Sequence, residues 1–294
     1  MKTSLFSAVA AVALAAFPLG LPAQWQDYPG KGVPRTPDGK PNLTAPTPRT
    51  ADGKPDLSGV WEFRGNLGGA GRGPRRGAQP GTAPATPPAP PPPEPPASGP
   101  PVATFRNIGS GFKEGLPLLP WAADLLKQRK AENGKDNPDA HCLPLGLMQL
   151  HLHPQPRKII QTPNDVVILY EAQAGVRQIF TDGRSLPPAD VQPWWYGYSV
   201  GHWDGDTLVV ETTGFRDDVW LDIDGSPLTG TGKLTERFRR PNYGTLEIDI
   251  TIEDPKVYTK PFTVRVNQRI MPDTELIEFI CGENDRSGPH LVGK

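Results

Sequence analysis

Residues 198–213, YSVGHWDGDTLVVETT, hold the stretch on which the reading of the fold turns. Two runs rich in β-branched and aromatic residues flank Asp204-Gly205, the short-range pattern of a β-hairpin. A two-residue turn at Asp204-Gly205 pairs Trp203 with Asp206, His202 with Thr207, Val200 with Val209 and Tyr198 with Glu211. The two-residue period of a strand then sorts the side chains. Tyr198, Val200, His202, Thr207, Val209 and Glu211 share one face, and Ser199, Gly201, Trp203, Asp206, Leu208, Val210 and Thr212 the other.

Working outward, the same texture recurs at Gly59–Phe63, Lys158–Thr162, Val166–Ala172, Val176–Thr181, Lys233–Arg239, Leu246–Glu253, Phe262–Ile270 and Glu275–Cys281. Turn signals such as Asp182-Gly183 and Asp224-Gly225 separate them. The chain reads as mainly β, about ten short strands in an antiparallel barrel, with a β-sandwich as the alternative. One helix interrupts this, opened by Pro120 and running with an amphipathic pattern through Trp121, Leu125 and Leu126 to a stop near Gly134.

The N-terminal side is organised differently. Lys2, an apolar run from Leu5 to Phe17 and a small-residue exit at Ala23 read as a signal peptide over residues 1–23, placing the chain in the periplasm or outside the cell. The run is too short for a lasting membrane span, so no stable membrane insertion is expected. Residues 24–55 form an extended arm carrying a tandem repeat, Pro34-Arg35-Thr36 to Leu43 and Pro48-Arg49-Thr50 to Leu57. Residues 56–64 supply the first barrel strand. Residues 65–101 contain 13 Pro and 8 Gly and cannot bury enough apolar area to offset ordering, so they read as a disordered Pro/Gly-rich segment. Residues 102–294 hold the helix and the rest of the barrel.

Charge and motifs exclude several classes. A net charge of −1 gives no electrostatic footprint for nucleic acid. No Gly-x-Ser-x-Gly elbow, phosphate loop, dinucleotide fingerprint or haem attachment pair is present, and no cofactor is expected. Cys142 and Cys281 form a disulfide if the chain is exported, or remain two buried thiols. His151-Leu152-His153 would place two imidazoles on one strand face beside His141 and Cys142, but two ligands do not make a metal site and none is expected. The acidic stretch Asp217, Asp218, Asp222 and Asp224 lacks the spacing of a calcium loop and reads as a turn with solvated carboxylates.

Asp52-Gly53-Lys54-Pro55-Asp56-Leu57-Ser58-Gly59-Val60-Trp61, His141-Cys142-Leu143-Pro144 and Gly201 to Val210 resemble a family of uncharacterised exported bacterial β-rich proteins. Glu236-Arg237-Phe238 and Glu253-Asp254-Pro255 extend the match over most of the chain outside the leader and the Pro-rich segment. That resemblance implies localisation and a single fold unit and transfers no catalytic residue. Gly59-Val60-Trp61 is also similar to the Gly-x-Trp that opens lipocalin-type barrels, which implies a lipocalin-like barrel with Trp61 closing one end.

Candidate site residues follow from alternation. Glu236 lies between Leu234 and Phe238 and must point inward, where it needs an Arg, His or Tyr partner or a raised pKa. Gln268 interrupts the apolar face Phe262, Val264, Val266, Ile270 in the same way. Tyr198, His202 and Glu211 form either a solvent surface or, with Glu236, an acid–base cluster in a cavity wall. Trp61, Trp194, Trp195 and Gln268 are candidate ligand contacts, with core packing the other reading for the aromatic pair. Three functions are compatible with this pattern: an exported barrel binding a small apolar or aromatic molecule, a cofactor-independent lyase, isomerase or hydrolase, and an envelope interaction protein working through the Pro-rich segment.

Overall fold

The computed structural model describes Gly30 and residues 32–65, 99–188 and 190–279. The expected signal peptide, most of the Pro-rich segment and Cys281 lie outside the described residues.

Nine strands close into one barrel: β1 (Gly59–Phe63), β2 (Arg157–Gln161), β3 (Asp165–Tyr170), β4 (Val176–Phe180), β5 (Tyr198–Asp204), β6 (Thr207–Thr213), β7 (Lys233–Asn242), β8 (Thr245–Glu253) and β9 (Phe262–Ile270). They follow one another around the wall in sequence order, and β9 pairs with β1 to shut it. A ring with an odd number of strands cannot alternate direction all the way round. The parallel seam this requires is β4 against β5, two residue pairs long, Ile179 with Ser199 and Phe180 with Val200. The barrel expectation is met, with one parallel seam in place of a wholly antiparallel wall.

The β5–β6 hairpin turns one residue later than its sequence indicates. Gly205 and Asp206 form the turn, Gly205 at φ +58° in the first central position, where a side chain would be strained. Asp204 therefore pairs with Thr207, His202 with Val209 and Val200 with Glu211. Every partner moves by two positions, an even step, so the two faces keep their members.

Interior and exterior now have addresses. Ser199, Leu208, Val210 and Thr212 are buried inside, together with Leu234, Glu236 and Phe238 on β7, Leu246, Ile248, Ile250 and Ile252 on β8, and the whole inward row of β9. Arg237, Arg239, Asp249 and Arg265 sit outside in an ion-pair ladder.

Four expectations need correction. Residues 275–279 form no strand, because no ladder position is left once β9 has paired with β1; they meet the barrel side through one isolated bridge, Phe279 to Ala172, and through Glu275 on Lys158 and Ile277 N on the Glu171 carboxylate. The helix, α1 (Pro120–Ala131), ends at Ala131, short of Gly134, and packs lightly: Ala122 is buried, Leu125, Leu126 and Arg129 on the same face are half-buried, and Trp121 is half exposed with its indole N–H on Lys256 O. The arm is not extended. Each repeat closes a small loop, Thr36 N to Lys40 O and Thr50 N to Lys54 O at 2.8 and 2.9 Å, with Arg35 and Arg49 bonded to Gly39 O and Gly53 O. Both Arg side chains then reach a barrel aspartate, Arg35 to Asp273 and Arg49 to Asp206. Finally, Asp222 and Asp224 are buried. Asp222 accepts from the backbone of Ile108, Gly225 and Ser226, and Asp224 pairs with Arg106 and Lys130, so this loop clamps the chain before α1 to the barrel.

The two barrel ends are closed by different means. The arm crosses the end where β7 turns into β8, Tyr243 N donating to Ala45 O and Gly244 N to Leu43 O. At the opposite end a second helix, α2 (Leu147–Leu152), has all six residues buried. It fits because Gly146 at its N-terminus has no side chain: a Cβ there would lie 2.2 Å from Trp220 O. Gly146→Ala should therefore destabilise the fold by about 1–3 kcal/mol through overpacking. Urea unfolding checks this, and an unchanged midpoint would show that α2 is not held tightly at this contact.

Candidate functional site

Alternation on β7 sends Glu236 into the barrel, and the structure supplies its partners. Arg177 on β4 meets the carboxylate with both terminal nitrogens, Nη1 to Oε1 at 3.0 Å and Nη2 to Oε2. His151 Nε2 reaches Oε1 at 2.8 Å from α2. All three side chains are at most 1 % exposed. Arg177 also donates to Ser199 Oγ and Thr212 Oγ1 on the interior faces of β5 and β6, at 3.1 and 3.0 Å. The guanidinium thus spans the wall from β4 to β7, across the short parallel seam.

Protonation states follow from this geometry. Burial alone would raise the Glu236 carboxyl, but the Arg177 guanidinium and the His151 hydrogen bond bring it down to about 2. An ionised carboxylate only accepts, so His151 carries its proton on Nε2 and leaves Nδ1 as a bare lone pair. That Nδ1 is buried with no hydrogen-bond partner among the described residues. Burial pushes the His151 imidazole below its usual range, outweighing the pull of Glu236. The ring is held edge-on between Tyr170 and Phe238, centroids 6.2 and 6.1 Å away. Tyr170 lies beside Arg177, but its hydroxyl makes no well-directed hydrogen bond, and burial raises it to about 12.

Arg157 secures α2 from below. Its Nη atoms donate to His151 O, His153 O and Gln155 O at 2.7–2.9 Å, which satisfies carbonyls that the end of the helix leaves open. Fully buried and without a carboxylate partner among the described residues, it is lowered by desolvation to about 10.

The sequence-derived candidates divide between the two sides of the wall. Glu236 and Gln268 are inside, as alternation requires. Tyr198, His202 and Glu211 are outside: Glu211 pairs with Lys233, and Tyr198 accepts from Arg184 and stacks on Phe180. The four residues of the acid–base candidate do not converge, because strand alternation puts the barrel wall between Glu236 and His202. Trp61 is wholly buried, its indole N–H on Leu57 O at 3.0 Å and Arg240 over its ring at 4.8 Å. Trp194 is exposed beside Tyr198, whereas Trp195 packs partly into the core under Arg216. His151 and His153 lie in and just after α2, not on a strand face, and no metal-binding group of three or more occurs among the described residues. Arg177, His151, Ser199 and Thr212 escape a sequence reading, because nothing local ties an Arg on one strand to a Glu 59 positions later.

The chain matches no family model, no curated protein and no solved structure. Among the described residues no helix is long and apolar enough to cross a membrane.

Glu236→Gln leaves Arg177 buried without a counter-charge and should cost about 3–5 kcal/mol, whereas Glu236→Leu combined with Arg177→Met should cost less. A double variant as unstable as Glu236→Gln in urea unfolding would mean that charge compensation is not the role of the pair. Acid has a defined sign here. His151 is lowered and His153, buried beside Arg157, falls to about 4, so both favour the fold above pH 6.5 and lose that contribution as pH drops. Glu236, lowered from 4.5 to about 2, adds a second loss below pH 4.5. Stability measured against pH should fall from about pH 6.5, by up to ~1.4 kcal/mol per unit for each group, and the upper part of the fall should vanish in His151→Gln/His153→Gln.

Proposed function

We propose that this chain is a binding protein for a small, largely apolar molecule carrying one polar group, held inside the barrel and used outside the cytoplasm. The observation that carries this is Gln268. Its carboxamide lies 2 % exposed on the inward face of β9, between Val266 and Ile270, and neither its oxygen nor its nitrogen has a hydrogen-bond partner among the described residues. Each unmet buried polar group costs about 1–3 kcal/mol, so an amide with both ends unmet among the described residues is accounted for by a bound small molecule. His151 Nδ1 and the Tyr170 hydroxyl are in the same condition elsewhere in the interior. Around them the wall is apolar, with Phe238, Ile248, Ile250, Val264 and Val266. Because α2 occupies one end, the occupant is small.

Binding is favoured over catalysis because the interior carboxylate, Glu236, is already neutralised by the Arg177 guanidinium and hydrogen-bonded by His151. The leader at residues 1–23 and the resemblance to exported β-rich proteins support the localisation, and Gly59-Val60-Trp61 supports the lipocalin-like reading. A Cys142–Cys281 bridge belongs to the same proposal. Phe279 bridges to Ala172, and the next residue, Gln173, bonds both Asp139 and Leu145, which flank Cys142.

Gln268→Leu separates the possibilities. In ligand-stripped protein it should raise stability by about 1 kcal/mol or more, since two unmet polar atoms disappear, and it should abolish the small molecule retained by natively purified wild type in mass spectrometry. Destabilisation together with undiminished retention would end the interior-site reading. Peptide mapping under non-reducing conditions should recover residues 142 and 281 in one linked peptide, and quantitative alkylation of both thiols would exclude the bridge.

A further inference from the structure

The Pro/Gly-rich segment lies largely outside the described residues, but both of its ends are fixed to one strand. Arg64 N donates to Asn267 O at 2.7 Å, and Arg265 N donates to Pro101 O at 2.8 Å. Residues 66–98 therefore leave and rejoin the barrel two positions apart on β9. Just after the return, Pro101 lies against Gly111, where a Cβ would come within 2.6 Å of the proline ring, and Gly111 leads directly into Phe112.

Phe112 borders a cleft of about 520 Å³ beside the start of β9, whose apolar lining includes Leu116, Pro261 and Phe262. Phe112 stands edge-on to Phe262, with ring centroids 5.9 Å apart. Lys113 and Lys260 also line the cleft from exposed positions, and neither has an ion pair among the described residues. With Glu114 as its single acid, the cleft keeps an excess positive charge. The outer face of β7 to β9 differs, since there Arg237, Arg239, Arg265 and Arg269 each meet a carboxylate.

An apolar groove lined by aromatic and proline residues suits a polyproline segment, whose stiff backbone has little entropy left to lose on docking. Residues 90–96 supply one, Pro-Pro-Pro-Pro-Glu-Pro-Pro. Glu94 is the only acidic residue between Gly65 and Pro101, and the basic residues there, Arg72, Arg75 and Arg76, are confined to the other half. The reach agrees with the charge. A polyproline path from Glu94 to Gly99 covers about 15 Å, and β9 covers about 10 Å from Arg265, against which Gly99 sits, to Phe262. We propose that this cleft is the docking site of the chain's own residues 90–96, with prolines against Phe112 and Glu94 between Lys113 and Lys260. The site is independent of the barrel interior. Docking in cis needs only weak contacts, because a short tether sets an effective concentration of about 1 mM.

Amide NMR titration with a synthetic peptide of residues 87–98 tests it, on the mature chain with those residues exchanged for an equal length of Gly-Ser. Saturable one-to-one binding is expected, with Kd of about 1 mM or below and shifts centred on Phe112 and Lys260. Lys113→Glu/Lys260→Glu alters only exposed side chains and should weaken binding about fivefold or more, and a Glu94→Lys peptide should recover affinity for that variant. The intact chain should bind the peptide more weakly than the exchanged chain, about twofold at a Kd of 1 mM and more below it, because its own segment competes. No saturable binding, or equal affinity for Lys113→Glu/Lys260→Glu, overturns the assignment of the cleft. Equal affinity for the intact and exchanged chains overturns docking in cis. So does a dimer of the intact chain in sedimentation that the exchange abolishes, which would give the segment to a second copy.

Discussion

The buried contact of Glu236 with Arg177 and His151 is the constraint around which this barrel is organised. One carboxylate draws together three elements far apart in sequence, β7, β4 and α2. Desolvating a carboxylate and a guanidinium costs several kcal/mol per ion, and only close, fully hydrogen-bonded geometry offsets it. Ser199 and Thr212 supply the additional acceptors that Arg177 needs. Because these two residues belong to β5 and β6, the guanidinium bridges the place where the wall has fewest backbone pairs.

That weak place has a topological cause. An odd ring of strands must contain a parallel contact, and here it is two residue pairs long. Side chains on the inside compensate for what the ladder lacks. The same cluster brings α2 into the barrel end, where Arg157 satisfies the carbonyls that follow His151. Interior volume, strand count and the placement of His151 are therefore linked. The opposite end is managed by a different device, two copies of one turn-forming repeat, each presenting an Arg to a barrel aspartate.

Much of this architecture is legible locally. Nine of the ten strand segments anticipated by alternation and turn residues are present, and the inward direction of Glu236 and Gln268 follows from their apolar neighbours alone. The hairpin turns at Gly205-Asp206, one residue later than the sequence suggests, because Asp204-Gly205 and Gly205-Asp206 are both acceptable turn pairs. Asp222 and Asp224 looked like solvated turn residues because neither Ile108 nor Arg106 is near them in sequence.

Residue spacing alone carries the periodic part: a β-rich chain, which residues share a face, and which polar residues are misplaced among apolar ones. Those properties depend on spacing of two along one strand, and spacing is local. Barrel closure alone settles which face of the β5–β6 hairpin is inside, so that His202 and Glu236 stand on opposite sides of the wall, and brings a His in a short helix and an Arg 59 residues from Glu236 to its carboxylate. Closure assigns inside and outside to all the strands together, and partners for a buried charge are chosen by distance in space, to which a one-dimensional pattern carries no key.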